Sequence, residues 1–200
     1  VSLILATGGS AMVRAAYSSG TPALGVGPGN VPAFIEKTAD IKMAVSRIIA
    51  GKIFDNGVIC ASEQAVVVER EIYKEVKKEF INQGCYFVNE EEKLKMEKII
   101  DTPYGSLNAK IVGKTASQLA DMAKIEVPED TKIIIAEETG VGKGYPFSRE
   151  KLSPILAFYV EDDWKKGCDK CIELLDYGGM GHTLGIHSND KDIIMEFALR

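Results

Sequence analysis

Short apolar runs of strand length alternate along this chain with segments whose apolar residues recur at three- and four-residue spacing. No other feature constrains the fold as tightly. Strands are expected over residues 2–6, 33–36, 64–69, 109–112, 132–136, 155–160 and 183–187. Helices are expected over 10–18, from a Thr38 cap through Ile41, Ala44, Val45, Ile48 and Ile49, and over 71–82, 90–100, 115–123 and 162–175. The 71–82 helix buries Ile72, Val76 and Phe80, and Gly84 stops it. Such an order implies an α/β fold with a mostly parallel sheet covered by helices on both faces. The stretch 21–32 holds three glycines and three prolines, which excludes a long helix or a central strand. It reads as a crossing between two lobes.

At 200 residues and 46% hydrophobic, the chain suits one or two globular domains. Its net charge of −5 comes without a Lys/Arg cluster, so neither nucleic acid nor a membrane surface is expected as a partner. The nearest basic run, 74–78, is broken by Glu75 and reads as a solvated helix face. No stretch reaches the roughly 18 apolar residues of a membrane span, and no signal peptide opens the chain. The chain opens as a strand without a methionine and closes inside a helical pattern at 190–200, so a piece of a longer protein is expected. Four cysteines without a disulfide framework fit a reducing cytoplasm. Cys168 and Cys171 form a C-x-x-C pair, but in a polar helical segment with no second pair, so they read as two thiols on a helix. No zinc spacing, P-loop or G-x-S-x-G elbow occurs, and no metal site is expected.

Four segments carry residues suited to chemistry. Leu5-Ala6-Thr7-Gly8-Gly9-Ser10 runs from a strand through a glycine turn into a helix, whose first N–H groups favour an anion. Alone it reads equally well as a plain strand–helix turn. Cys60 follows a helix and a polar turn and precedes a strand, which puts a small thiol at the mouth of a sheet. A thiolate there can attack a carbonyl; an inert buried cysteine is the competing reading. His182 follows the glycine run 178–181 and precedes a strand, at a place where side chains face clefts; a structural histidine is the alternative. Glu150, ahead of Pro154, suits hydrogen bonds from a ribose or a plain surface charge.

Taken together and in order, these segments resemble the aldehyde dehydrogenase superfamily, most closely the aldehyde half of bifunctional aldehyde–alcohol dehydrogenases. The resemblance covers essentially the whole chain. It rests on the 7–20 turn and helix, the 25–32 glycine-rich crossing, Phe54-Asp55-Asn56-Gly57-Val58-Ile59-Cys60-Ala61-Ser62-Glu63-Gln64, Glu150-Lys151-Leu152-Ser153-Pro154 and Gly181-His182-Thr183. It implies that residues 1–29 end a Rossmann-like NAD-binding lobe and that 30–200 form a catalytic lobe, truncated at its C-terminal end. It implies Cys60 as nucleophile, with its backbone N–H on the oxyanion, and His182 as base for the coenzyme A thiol. It places cofactor contacts at Thr7, Gly8, Gly9, Val26, Glu150 and Leu152. The implied reaction interconverts a short-chain aldehyde, CoA and NAD with acyl-CoA and NADH, acetaldehyde and acetyl-CoA foremost, in a homo-oligomeric cytoplasmic enzyme of fermentation.

Two departures stand out. Hydrolytic members carry a water-activating glutamate at a position that Gly25 matches here, and a serine common in the cofactor turn is Gly9. The first favours CoA as acyl acceptor over water. The competing readings are a hydrolytic aldehyde dehydrogenase and a non-catalytic α/β assembly module.

Overall fold

The computed structural model describes residues 1–180 and 182–200. Among these, two sheets form. A two-stranded parallel sheet pairs β1 (Ile4–Thr7) with β2 (Ala23–Val26), and α1 (Ser10–Tyr17) lies between them in the chain. The main sheet holds β3 (Val31–Ile35), β4 (Glu63–Glu69), β5 (Cys85–Phe87), β6 (Ile133–Glu137), β7 (Ile155–Glu161) and β8 (Gly185–His187). Its spatial order is β5-β6-β7-β4-β3-β8, and every pair is parallel.

Parallel strands need helical crossovers, and the apolar alternation assigns each one a face. Val66, Val68, Leu156 and Phe158 point to one side, where Ala44, Val45, Ile48 and Ile49 of α2 (Ile41–Ile53) and Val76 and Phe80 of α3 (Tyr73–Asn82) cover them. Ala65, Val67, Ala157 and Tyr159 point to the other. There they meet α4 (Glu90–Ile100), α5 (Ala116–Ala123), α6 (Trp164–Gly178) and Phe197 of α7 (Lys191–Ala198). The result is a three-layer α/β/α body, as the alternation implied. No helix among the described residues is long and apolar enough to cross a membrane.

Several sequence expectations need correction. Residues 109–112 are no strand: Ala109–Ile111 is a single 3-10 turn capped by the Asn108 side chain, which drives the buried Ile111 into the core from outside the sheet. Its apolar residues answer to burial and not to strand pairing. The edge strand β5 was not foreseen, since three residues after Gly84 are too few to show a period. The stretch 21–32 contains β2, and Pro32 lies inside the interior strand β3. A register shift between Val31 and Pro32, with β8 pairing only from Ala33 onward, makes room for the missing N–H. Asp40, not Thr38, caps α2 by accepting from the Met43 N–H; Thr38 instead bonds the buried Glu36.

Candidate active site

In a parallel sheet every strand enters from the same edge. Because β7, β4, β3 and β8 are neighbours, the four segments that lead into them are gathered at one place. Those segments carry Glu150 and Leu152, Cys60, Gly29 and Asn30, and His182. The candidate groups therefore collect at the amino edge of the sheet, opposite the carboxyl edge where open α/β sheets usually hold ligands.

The Cys60 segment is shaped by its backbone. After α2 the chain makes a 3-10 turn, Phe54–Gly57, in which Asp55, Asn56 and Gly57 adopt φ of 47, 50 and 73° in succession. Asn56 steadies the turn by donating Nδ2–H to the Gly113 carbonyl at 3.1 Å. Gly57 packs so closely that an added Cβ would lie 3.0 Å from the Ser153 backbone. The chain then turns again, with Ser62 N–H on the Ile59 carbonyl, and presents Cys60 to solvent. The other thiols are core groups. Burial pushes Cys85 up to about 12 and also raises Cys168 and Cys171, which sit on the inner face of α6. The C-x-x-C pair is thus packing, as its sequence context suggested.

Glu150 lies half-buried on the loop before β7. Burial raises its carboxyl, while the Gly29 N–H, His182, Lys52 and Lys151 pull in the opposite direction. His182 packs over the crossing segment, its Cδ2 lying 2.6 Å from where a Cβ of Gly29 would sit. Its Nδ1 is buried and has no partner among the described residues. Gly181 of the same run lies outside the described residues.

Gly9, Ser10, Pro28, Arg149, Glu150 and Tyr177 line a cleft of about 610 Å³. A neighbouring one of about 450 Å³ shares Ser10, Pro28 and Tyr177 and adds Val26 and His182. Gly9 opens α1 with no side chain capping its first turn, so the N–H groups ahead of Met12, whose own N–H bonds the Gly9 carbonyl, remain available to an anion. Of the expected residues, Gly9, Val26, Glu150 and His182 meet along these clefts. Thr7 and Gly8 sit just behind, where β1 pairs with β2 and the Gly8 N–H bonds the Val26 carbonyl at 3.0 Å. Cys60 and Leu152 line neither cleft. Leu152 has φ of 50° and accepts the Gly113 N–H, so it shapes the loop between Glu150 and the Cys60 turn. A half-buried carboxylate beside uncapped helix N–H groups fits the ribose and phosphates of a dinucleotide.

Gly25 lines this second cleft and carries no side chain. A Cβ there would lie 2.5 Å from Val13 Cγ1 of α1, so a larger residue than Gly25 would have to displace that side chain. Its backbone N–H is itself held by the Tyr17 hydroxyl at 2.9 Å. The adjacent Val26 is 49% exposed and lines the same cleft.

Three buried polar groups were not foreseen. Asn30 donates Nδ2–H to the carbonyls of Ser148 (2.8 Å) and Leu174 (2.9 Å), joining the crossing segment to the Glu150 loop and α6. Lys52 and Lys151 are fully buried. Desolvation brings Lys52 down to about 7 against the pull of Glu63 and Glu150, and it holds Lys151 well below the ordinary lysine range. Lys52 sits in the last turn of α2, where a lysine ordinarily faces water, so nothing in the sequence signalled its burial.

The sequence profile of the aldehyde dehydrogenase family matches residues 1–146. Aldehyde-alcohol dehydrogenase 2 of Entamoeba histolytica is 48% identical over 207 residues, covering 100% of this chain and 24% of that protein. The bifunctional aldehyde-alcohol dehydrogenase AdhE of Escherichia coli is 49% identical over 192 residues, covering 96% of this chain and 21% of that protein. An acetylating aldehyde dehydrogenase from Geobacillus thermoglucosidasius superposes with a TM-score of 0.97 at 54% identity, over 100% of this chain and 44% of that one. A propionaldehyde dehydrogenase from Rhodopseudomonas palustris, solved with bound CoA and an acylated cysteine, gives 0.90 at 30% identity, over 100% and 45%. This chain thus spans about a quarter of the length of these curated relatives and less than half of the solved ones. By the profile match over most of its length, the chain belongs to the aldehyde dehydrogenase family.

Proposed function

We propose that this chain carries the nucleophile and part of the cofactor site of a CoA-acylating, NAD-dependent aldehyde dehydrogenase acting on short-chain aldehydes, acetaldehyde foremost. The observation that carries the reading is the exposed Cys60 on the segment entering β4, with Glu150 and His182 on the segments entering its near neighbours β7 and β8. Residues 1–29 belong to the cofactor lobe and 30–200 to the catalytic lobe. In support, the β1–β2 sheet shares no strand with the six-stranded one. Assembly as a homo-oligomer and a cytoplasmic location complete the reading. Buried unpaired thiols at Cys85, Cys168 and Cys171 suit a reducing compartment.

Cys60 Sγ adds to the aldehyde carbonyl, and the Cys60 backbone N–H steadies the oxyanion. The nicotinamide, when bound, supplies the hydride acceptor that turns the adduct into a thioester on Cys60. Glu150 orients the ribose by accepting hydrogen bonds from its hydroxyls. His182 takes the proton from the CoA thiol, whose sulfur displaces Cys60 and leaves as acyl-CoA. Water competes poorly, because Gly25, at the position that holds the water-activating glutamate in hydrolytic members, has no side chain. Thr7, Gly8 and Leu152 hold the backbone of the cofactor-facing turns.

The test is NADH formation by the complete enzyme with and without CoA. With aldehyde and NAD alone, formation should stop after about one equivalent per site and resume when CoA is added, with acyl-CoA as product. Sustained CoA-independent turnover to free acid would instead mark a hydrolytic enzyme.

A further inference from the structure

Lys52, Gln64 and Lys151 form a polar knot beneath the site, fully buried, that the reaction itself does not use. Gln64 begins four residues after Cys60. Its Nε2–H donates to the Ser62 carbonyl at 3.2 Å, which pins the turn that follows the cysteine. Its Oε1 accepts from the Lys151 backbone N–H at 2.9 Å and from Lys52 Nζ at 3.3 Å. Lys151 Nζ in turn donates to the carbonyls of Gln64 (3.0 Å), Phe147 (2.6 Å) and Arg149 (2.6 Å). The ammonium thus closes the loop 147–151, and Glu150 is on that loop. Lys52 comes from the end of α2, where the Cys60 turn begins, and its charge acts on the Glu63 and Glu150 carboxylates.

Burying two lysines costs several kcal/mol each before their partners repay it, and apolar side chains of similar volume would stabilise at least as well. A knot of this kind, joining two loops and little else, specifies geometry. We propose that Gln64, held by Lys151 and Lys52, is a positioning residue that sets the spacing between the Cys60 segment and Glu150. This rests on the roles assigned to Cys60 and Glu150 above.

The test uses the complete enzyme. Gln64→Met removes both polar atoms at nearly constant volume. With deuterated aldehyde, cofactor and CoA, kcat should fall by about tenfold to a hundredfold, the cost of misplacing reacting groups. The primary isotope effect should rise while the aldehyde KM stays near wild type. Gln64→Glu keeps the acceptor for Lys151 and Lys52 but loses the Nε2–H donor to Ser62, so it should recover part of the loss. A folded Q64M with wild-type kcat and isotope effect overturns the proposal, as does an equal loss in Q64M and Q64E. If Q64M does not accumulate as folded protein, Lys52→Met reports instead. It should shift kcat and isotope effect in the same direction, and wild-type values in folded K52M overturn the proposal. The iodoacetamide alkylation rate of Cys60 separates the two readings. If the wild type fails to oxidise aldehyde, the functional assignment falls. A several-fold change in Cys60 alkylation in Q64M still supports the brace, and an unchanged rate sinks it.

Discussion

Chemistry at single residues here follows from solvent access. Cys60 is exposed, whereas Cys85, Cys168 and Cys171 are buried thiols whose ionisation is pushed up by desolvation. Thiolate is the reactive form, so iodoacetamide at neutral pH should modify Cys60 and spare the other three, as peptide mass mapping would reveal. Comparable labelling of Cys85 would contradict the burial pattern. Lys52 makes a second prediction at this scale. Its amine falls from an ordinary 10.5 to about 7 on folding. Between those values the unfolded chain holds a proton that the folded chain has released. Stability should therefore rise with pH across that window, by up to about 1.4 kcal/mol per unit from this group, and the gain is lost as pH falls through about 7. Denaturant titrations between neutral and mildly alkaline pH should show this slope, and Lys52→Met should flatten it. Equal slopes in the two proteins would mean that Lys52 keeps its ordinary pKa.

At the scale of elements, the turn joining α2 to β4 is the most constrained piece of backbone. Gly57 has φ of 73° and no room for a Cβ beside Ser153. Gly57→Ala should destabilise by about 2 kcal/mol through left-handed strain, with crowding against Ser153 in addition. Because the turn leads directly to Cys60, it should also change the rate of Cys60 alkylation. Thermal melts and labelling kinetics on the same sample check both effects. Much at this scale was legible in sequence. The helix expected over 115–123 forms over Ala116–Ala123, with Thr115 and Gln118 in a reciprocal capping box. Asp40 takes the cap of α2 because the Thr38 hydroxyl is engaged by Glu36, whose carboxylate also accepts from Ser188 just after β8. The 109–112 segment misled because apolar residues bury equally well from a 3-10 turn as from a strand.

Across the whole molecule, the proposed preference for CoA over water as acyl acceptor rests on Gly25, which puts no carboxylate in the cleft it lines. Gly25→Glu would press on Val13 and Tyr17 of α1 and should lower the melting temperature. In the complete enzyme the folded fraction should show raised CoA-independent release of free acid, measured as NADH formed beyond the first turnover. A folded G25E protein without such release would separate the choice of acceptor from position 25.

The local order of the chain determined most of the architecture. Short continuous apolar runs alternating with stripes of helical period imply a parallel sheet with helices on both faces, which buries the strands on both sides. The Cys60 and Glu150 segments stood out only through their resemblance to aldehyde dehydrogenase motifs, since by residue type alone they fit an inert cysteine and a surface charge equally well. What the linear order could not reveal was adjacency. Strand order β7-β4-β3-β8 alone brings Glu150, Cys60, Asn30 and His182 to one edge, though they lie up to 152 positions apart. The burial of Lys52, the Asn30 bonds to Ser148 and Leu174, and the packing of Gly25 against Val13 and Tyr17 depend on which surfaces press together. Those contacts are set by packing between distant segments, and a lysine at the end of a helix looks the same in sequence whether water or a glutamine side chain receives its protons.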